Sequence, residues 1–335
     1  MKKFKVIIFK TLITVGILAL LAVAAIGIAK EVQNHSKPAG FDSVLLDKDF
    51  CTLAIDGDKL WGGGSNGLFM IDMKTLGTTE IKGYQFVRAL LVTKDGLWIG
   101  HDGGVSFQTK GTGQVKTFTQ SDGLPDNRVN ALMQDHLGNI WIGTWGGAVK
   151  YDGKNFTTYT SKNGLLVDMV NVITEDSRDG IWFGSYVAPR GGISVLRGES
   201  WQYFTPNDAL LHANINTIIS LKDGNILAGG GLYTQGGASL FKYEDSGWSR
   251  LRTYTLADGL AGAKVRSAFE DSKGRLWLGS EYDGAVILSG KLRIALFNTK
   301  SGLSSDEVKV IVEDAAGNMW LGTRRGVTRI LKSAV

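Results

Sequence analysis

Residues 129–160 read VNALMQDHLGNIWIGTWGGAVKYDGKNFTTYT, and this stretch decides the fold. Short apolar or β-branched segments occur at 129–132, 140–144, 148–151 and 155–160. Turns rich in Gly, Asp and Asn separate these segments, which is the pattern of consecutive antiparallel strands. A unit of four such strands is typical of one blade of a β-propeller.

The centre of this unit, Ile140-Trp141-Ile142-Gly143, recurs along the chain. Its tryptophan position falls at residues 61, 98, 141, 182, 227, 277 and 320, and only residue 227 is not tryptophan but leucine. Repeats of this length indicate a solenoid or a propeller, and four strands per repeat favour the propeller. We therefore predict an all-β fold, a seven-bladed β-propeller over residues 41–335, with the tryptophans packed between blades.

The two ends of the repeat array complement each other. The last copy offers Val327–Leu331 as its third strand and has no fourth strand, whereas Phe41–Leu46 is an apolar stretch that precedes the first copy. We predict that Phe41–Leu46 supplies the outer strand of the seventh blade. This pairing would close the ring and remove two exposed strand edges.

Residues 1–30 have the character of a membrane-targeting segment. Basic residues precede an uncharged run of 19 residues, Thr11–Ala29, which nearly spans a hydrocarbon core. It is either a signal anchor or a signal peptide cleaved near Ala22-Val23-Ala24. Residues 31–40 are a polar tether. Both alternatives place the propeller outside the cytoplasm, in the periplasm or the extracellular space, as a single-pass membrane protein or as an exported soluble form.

The distribution of charge argues against nucleic-acid binding. The chain has 37 Lys and Arg and 32 Asp and Glu, a net charge of +5. Five lysines and no acid fall within residues 1–30, which leaves 32 basic and 32 acidic residues in 31–335. A neutral globular part lacks the basic surface that phosphate backbones require.

The copies resemble the two-component regulator propeller repeat, most closely at Ile140–Asp152, and the Asp122-Gly123-Leu124-Pro125 segment also fits. The resemblance implies an extracytoplasmic sensor-like propeller that detects glycans or their fragments. After Leu331 the sequence offers no second span and no kinase. We therefore expect a polar small molecule, a glycan or a protein partner to bind, with separate proteins carrying the signal or the envelope function.

Propeller geometry places the second-to-third-strand turns and the blade-to-blade connections on one face, where 185–192 and 230–237 are longer than the other turns. Variable insertions on one face often mark the binding face of a repeat array. The first strand of each blade lines the channel, and the residue after its first apolar position is Cys51 in the first blade and polar in the others. The candidate ligand-binding residues at the channel mouth and on this face are Arg88, Asn130, Asn171, Asn216, Arg266, Lys309, His101, Trp145, Tyr186, Arg190, Tyr233, Tyr282 and Arg324.

A structural role for the ring of first-strand residues stays open. The asparagines could bond the backbone of the neighbouring blade, and the arginines could pair with Asp306, Asp168 or Asp126. Elsewhere in the repeat, an aspartate recurs once per blade at a turn and is expected to cap that turn; these residues are Asp135, Asp176, Asp271 and Asp314.

The sequence predicts no catalytic residue, no metal site and no cofactor. No two of the four histidines have the spacing of metal ligands, and Cys51 is expected to be an inert buried thiol. Two alternatives to ligand binding remain. One is a scaffold for envelope assembly. The other is a metal-assisted lyase like the streptogramin lyases, in which His101 or His212 would act.

Overall fold

The computed structural model describes residues 38–245, 247–290 and 292–335. These ranges contain 28 β-strands and four short 3₁₀-helices. The predicted membrane segment, residues 1–30, and the tether up to residue 37 lie outside the described residues and stay predictions. None of the helices in the described ranges is long and apolar enough to cross a bilayer.

The strands form seven sheets of four, which we number as blades 1 to 7 in chain order. Blade 1 holds β2 Thr52–Asp56, β3 Lys59–Gly64, β4 Gly67–Asp72 and β5 Thr78–Ile81. Blade 2 holds β6 Ala89–Val92, β7 Gly96–His101, β8 Gly104–Thr109 and β9 Val115–Phe118. Blade 3 holds β10 Val129–Gln134, β11 Ile140–Thr144, β12 Gly147–Tyr151 and β13 Phe156–Tyr159. Blade 4 holds β14 Val170–Glu175, β15 Ile181–Ser185, β16 Ile193–Arg197 and β17 Ser200–Phe204.

Blade 5 holds β18 Ile215–Ser220, β19 Ile226–Leu232, β20 Gln235–Glu244 and β21 Gly247–Tyr254. Blade 6 holds β22 Val265–Glu270, β23 Leu276–Ser280, β24 Ala285–Ser289 and β25 Leu292–Phe297. Blade 7 holds β26 Val308–Glu313, β27 Met319–Thr323, β28 Gly326–Ile330 and, from the start of the described chain, β1 Phe41–Val44. The 3₁₀-helices are Gln120–Asp122, Leu256–Asp258, Thr299–Ser301 and Lys332–Ala334.

Each blade is an antiparallel meander, and the first strands of the blades contact one another in a closed cycle, β2–β6–β10–β14–β18–β22–β26 and back to β2. The first strands are therefore innermost and surround the channel. The seven-bladed propeller predicted from the tryptophan repeat is confirmed. The hydrophobic core lies between blades, as in the cluster that joins Trp182 and Ile193 of blade 4 to Ile215 and Ile226 of blade 5.

The ring closes as predicted. β1 pairs antiparallel with β28, with Phe41 opposite Ile330 and Val44 opposite Val327. The Arg329 guanidinium donates to the Asp42 carboxylate at 2.6 Å across this seam. Strands that are distant in the sequence therefore complete one sheet, and the last blade has no unfilled position.

Packing between blades explains both the tryptophan and the glycine of the recurring Trp-x-Gly motif. Trp141 is 3% exposed between blades 3 and 4, as predicted for the tryptophans. A Cβ added at Gly143 would lie 2.8 Å from Cγ1 of Val170, the first residue of the next inner strand. Glycine is needed because the next blade approaches the backbone closely at this point.

The repeated aspartates cap their turns as predicted, and they also bind the tryptophans. Oδ1 of Asp135 accepts hydrogen bonds from the turn amides of Leu137 and Asn139, while Oδ2 accepts from Nε1 of Trp141 at 2.8 Å. Burial alone would raise the pKa of Asp135, but the hydrogen bonds from Asn139 and Trp141 outweigh it and hold the pKa below its usual value. The aspartates of blades 4, 6 and 7 bond their tryptophans in the same way. We call this arrangement the Asp–Trp pair.

Blade 5 has lost both members of the pair together. Leu221 stands at the aspartate position and Leu227 at the tryptophan position, and both side chains are buried. A carboxylate without the indole N–H would be a buried charge with one partner fewer, so the joint replacement by apolar residues is physically consistent. The leucines at positions 221 and 227 therefore replace the polar pair of the other blades by apolar packing.

One expectation about the turns is wrong. Residues 230–237 do not form a longer loop, because β19 and β20 continue their ladder through Gly230 opposite Gly237 to Leu232 opposite Gln235. Only Tyr233 and Thr234 remain as a two-residue turn, and Tyr233 has a left-handed φ of 52°. The extra residues lengthen the hairpin and lift Tyr233 above the face.

Candidate ligand-binding site at the channel mouth

The ring position predicted from the repeat is a β-bulge in five blades. The register of the first and second strands shifts between Val129 and Ala131, so Asn130 has no partner in the ladder. The same shift leaves Asn171, Asn216, Arg266 and Lys309 unpaired in their blades. A bulge re-aims the side chain of the extra residue, and bulges are common beside binding sites. This is why polar side chains occur here within otherwise apolar strands.

The structure brings the whole ring together. Cys51, Arg88 and the five bulge residues line one cavity of about 380 Å³ at the end of the channel, and Tyr186 lines it as well. Asp49, Ser65 and Phe86 complete its wall. Seven separate segments of sequence thus contribute one side chain each to a single polar cavity.

The asparagines tie adjacent blades together, as the structural alternative anticipated. Nδ2 of Asn130, Asn171 and Asn216 donates to the carbonyl oxygen of the first residue of the next inner strand, at 3.3, 3.0 and 3.0 Å. Oδ1 of Asn130 accepts from Nε1 of Trp145. Within the described residues, Oδ1 of Asn171 and of Asn216 accepts no hydrogen bond. The amides therefore serve the fold with their nitrogen and leave acceptor oxygens at the cavity.

The cations of the ring are all paired with carboxylates. Arg88 forms an ion pair with Asp102. Lys309 lies 2.5 Å from Asp49. The expected partners Asp306, Asp168 and Asp126 are wrong, because they bond backbone amides or a neighbouring arginine instead.

Arg266 completes a chain of charges on one side of the cavity. Its guanidinium lies 3.3 Å from Glu281 and 3.8 Å from Glu307. Glu281 also pairs with Lys264, which is only 5% exposed, at 2.7 Å. Burial would raise the pKa of Glu281, but Lys264 and Arg266 outweigh it and lower that pKa. Opposite charges therefore alternate beside the cavity, and each cation that lines it already has a carboxylate partner.

The acids of this site were missed by sequence reasoning, although a signal exists. Asp49 and Glu307 lie two residues before the ring residues Cys51 and Lys309, and Lys264 lies two residues before Arg266. All three residues precede the first strand of their blade at the same spacing from the ring, so a second set of polar residues was readable there. The position two residues before the ring is hard to recognise in the sequence, because its residue type differs among the blades, from Phe86 to Glu307.

The remaining candidates on this face lie in two groups. Trp145 is 36% exposed and is covered by the Arg128 guanidinium at 4.2 Å from its ring centroid. Tyr233 and Tyr282 are exposed and line a second cavity of about 300 Å³ between blades 5 and 6, next to Lys264 and Glu281. The structure therefore places these aromatic rings around the mouth and not inside the channel.

Three further candidates lie away from the cavity. Arg190 and Arg324 are exposed on turns of the same face and do not line the channel cavity. His101 lines a separate surface depression with Tyr84, and its ring nitrogens contact Ser106 and the Gly103 amide at 3.0 Å. Burial lowers the pKa of His101.

The candidate nucleophile and bases do not converge. Burial raises the pKa of the Cys51 thiol to about 11, so it is protonated at neutral pH and a poor nucleophile. His212 does not line the channel cavity either, and its Nδ1 accepts from the Asn214 amide. The absence of catalytic residues stays a prediction.

One histidine does meet carboxylates, on the opposite face. Nδ1 of His136 lies 2.7 Å from Glu175 and 3.6 Å from Asp179, between blades 3 and 4. The hydrogen bond that His136 donates to the Glu175 carboxylate raises the pKa of His136. Sequence spacing could not find this group, because the histidine and the acids belong to different blades.

The fold and the ring define a seven-bladed β-propeller with a polar cavity at one end of its channel. Three of its repeats, at residues 123–146, 259–282 and 302–325, match the model of the two component regulator propeller family. The chain therefore carries two-component regulator propeller repeats, as the sequence resemblance predicted. A search of curated proteins by sequence finds no significant match.

Solved structures share the architecture at low sequence identity. The chain is similar to structures described as extracellular domains of the hybrid two component systems BT3049 and BT4673 from B. thetaiotaomicron, at TM-scores of 0.71 and 0.68 and 18% identity each. The alignments cover 88% and 87% of this chain but only 42% and 39% of those chains, so this chain spans about two fifths of their length. Virginiamycin B lyase from Staphylococcus aureus is similar at a TM-score of 0.65 and 15% identity, covering 86% of this chain and 98% of that one. At these identities the similarity concerns the fold.

Proposed function

We propose that the protein is an extracytoplasmic binding module, held at the membrane by residues 1–30, that takes a polyhydroxylated ligand such as a neutral glycan at the channel mouth. The observation that carries the proposal is the convergence of seven ring positions, five of them bulges, on one polar cavity of about 380 Å³.

The chemistry of the wall favours a neutral ligand over an anion. Each ring cation already has a carboxylate partner, so an anionic ligand would have to compete with Asp49, Asp102, Glu281 or Glu307. A hydroxyl both donates and accepts, and can therefore bond the carboxylates as donor and the cations as acceptor. The open Oδ1 atoms of Asn171 and Asn216 add acceptors for the same groups.

The tyrosines support a sugar in particular. Tyr186 lines the cavity, and Tyr233 and Tyr282 stand beside the neighbouring depression. Aromatic rings with a polar tip offer an apolar face together with a hydrogen-bonding group, which suits the mixed surface of a sugar. A sensor-like role in a pathway with separate signalling proteins accords with the two-component regulator propeller repeats.

Binding should be tested with a panel of neutral and acidic oligosaccharides against the full-length protein. Arg266→Ala removes the cation between Glu281 and Glu307, and we expect it to weaken binding of a neutral hit on the order of tenfold. Arg324→Ala, on the same face but outside the cavity, is the matched control and should leave affinity unchanged. Equal affinity of wild type and Arg266→Ala, or binding of acidic glycans alone, would contradict the proposal.

The location needs a separate measurement. A cysteine introduced by Thr112→Cys lies in an exposed turn. We expect a membrane-impermeant maleimide to label this variant in intact cells. Labelling only after lysis would show that the propeller faces the cytoplasm.

A further inference from the structure

Blade 2 departs from the Asp–Trp pair in a way that leaves its indole N–H without an acceptor in the protein. Val92 pairs with Leu97 as Gln134 pairs with Ile140, so Thr93 stands where blade 3 has its aspartate. Trp98 is only 6% exposed, but its Nε1 reaches solvent and donates no hydrogen bond to any residue in the described part of the chain. An indole N–H that meets solvent is free to donate to a ligand. Blade 2 therefore retains the donor of the pair without its carboxylate.

A cavity of about 290 Å³ lies at this place, between blades 2 and 3 on the face opposite the channel mouth. Thr93 and Trp98 line it together with Phe107, Phe118 and Tyr151. The Trp98 ring lies 4.7 Å from Phe107 and 5.9 Å from Tyr151, between centroids. In blades 3, 4, 6 and 7 the indole N–H bonds the aspartate at the first turn position, which here is Thr93. By the repeat geometry, the N–H of Trp98 faces this aromatic-walled cavity.

Lys116 adds a second unpaired donor. Its ammonium lies 4.5 Å from the centroid of Phe118, and it forms no ion pair with residues in the described ranges. Blade 3 offers a direct contrast, because Lys150 lies 5.8 Å from the ring of Trp141, whose N–H is satisfied by Asp135. In blade 2, by contrast, an ammonium without an ion pair and an indole N–H without an acceptor in the described ranges border the same aromatic cavity.

We propose that this cavity binds a small monocarboxylate with an aromatic or apolar body. The ligand carboxylate takes the position that the aspartate side chain occupies in blades 3, 4, 6 and 7, accepts from Nε1 of Trp98 and pairs with Lys116. The apolar body packs against Phe107 and Tyr151, where its burial adds affinity. This site is separate from the channel mouth and does not depend on the function proposed there.

Two acids border the cavity and bear on the ligand charge. Oδ1 of Asp152 already accepts from the amides of Lys154 and Asn155 at 2.8 and 2.7 Å. Asp95 is exposed, so water and salt screen its repulsion of a bound anion. Asp95→Asn should accordingly tighten the binding of a carboxylate.

Phenylacetate is the test ligand. Two controls each lack one of its features: acetate has no aromatic ring, and benzyl alcohol has no charge. The full-length protein is labelled with ¹⁵N-tryptophan, and the indole N–H signal of Trp98 is assigned as the one that is missing from the NMR spectrum of Trp98→Phe. We expect this signal to shift on addition of phenylacetate until the site is saturated. Affinities follow from saturation-transfer NMR on the ligand. We expect acetate and benzyl alcohol to bind at least about tenfold more weakly, because each lacks one of the two recognised groups.

The variants decide between this site and nonspecific binding. Trp98→Phe and Lys116→Met should each weaken phenylacetate about tenfold. Thr93→Asp, which supplies the missing carboxylate, should abolish binding. Lys150→Met is the matched control and should change nothing. Any of three results would overturn the proposal. Benzyl alcohol could bind as tightly as phenylacetate, the Trp98 signal could stay unchanged, or the surface variant Lys116→Met could bind phenylacetate with the affinity of the wild type.

Discussion

Asp176 is the most heavily bonded carboxylate of the repeat, and removing it tests the structural account of the Asp–Trp pair. Its side chain is fully buried. Oδ2 accepts from Nε1 of Trp182 at 2.7 Å, from Nε1 of Trp248 at 3.1 Å and from Arg197 at 2.8 Å. Trp248 belongs to the outer strand of blade 5, so this one carboxylate joins two blades.

The expected loss in the free energy of unfolding follows from the hydrogen-bond donors that Asp176→Ala would leave without a partner. Both indole N–H groups would stay buried without a partner, at about 1–3 kcal/mol each, or about 4 kcal/mol together. Oδ1 also accepts from the amides of Arg178 and Gly180, and the weakened turn adds about 1 kcal/mol. Arg197 is 34% exposed and can regain water, so it adds little. We expect a loss of about 5 kcal/mol in the free energy of unfolding.

The assay is urea unfolding followed by tryptophan fluorescence and far-UV circular dichroism. Asp223→Ala is the matched control. Asp223 lies in the corresponding turn of blade 5, where it accepts hydrogen bonds from Asn225, but it is exposed and bonds no tryptophan. We expect it to cost about 0.5 kcal/mol. Comparable losses for the two variants would refute the claim that the indoles, and not the turn, make the aspartate important.

Two further predictions concern the closure of the ring and the His136 contact. Asp42→Ala should lower the free energy of unfolding by about 1 kcal/mol by breaking the pair with Arg329 at the β1–β28 seam, whereas the exposed Asp47→Ala should have no measurable effect; equal effects would argue against a role for the seam pair. Since bonding to Glu175 raises the pKa of His136, its stabilisation is full below the unfolded pKa of about 6.5 and is lost as pH rises through the higher folded value. The difference in urea midpoint between wild type and His136→Gln should therefore shrink from about pH 5.5 to pH 8.5, and a difference that grows with pH would be incompatible with this contact.

The sequence predicted what each repeat determines by itself. The spacing of Trp141 and its equivalents gave the blade count, and the short last repeat gave the pairing of β1 with β28. The position of Asn130 in its strand predicted the ring. All of these follow from local periodicity, because a repeat protein places equivalent residues at equivalent positions.

Pairings between blades could not be predicted in the same way. Lys264 and Tyr186 lie 78 residues apart in the sequence, yet the Lys264 ammonium is 3.4 Å from the tyrosine hydroxyl. The acids that neutralise the ring cations come from turns whose direction a single sequence does not specify. The hairpin at Tyr233 was misjudged for a related reason, since a ladder and a loop of Gly-rich sequence have the same composition until the cross-strand register is known.

Departures from the repeat are the most informative positions in this chain. A residue that recurs from blade to blade is explained by the packing of the blade, as Gly143 is in all seven copies and Trp141 in six. The loss of the pair at Leu221 and Leu227 is compensated by apolar packing and leaves no polar group open. Thr93 differs, because the exchange removes an acceptor while Trp98 keeps its donor, and the fold supplies no substitute among the described residues. The N–H of Trp61 in blade 1 also lacks an acceptor, but that atom is buried, whereas the N–H of Trp98 can be reached by water or by a ligand. A donor that is accessible beside a cavity is why the further site is assigned to blade 2.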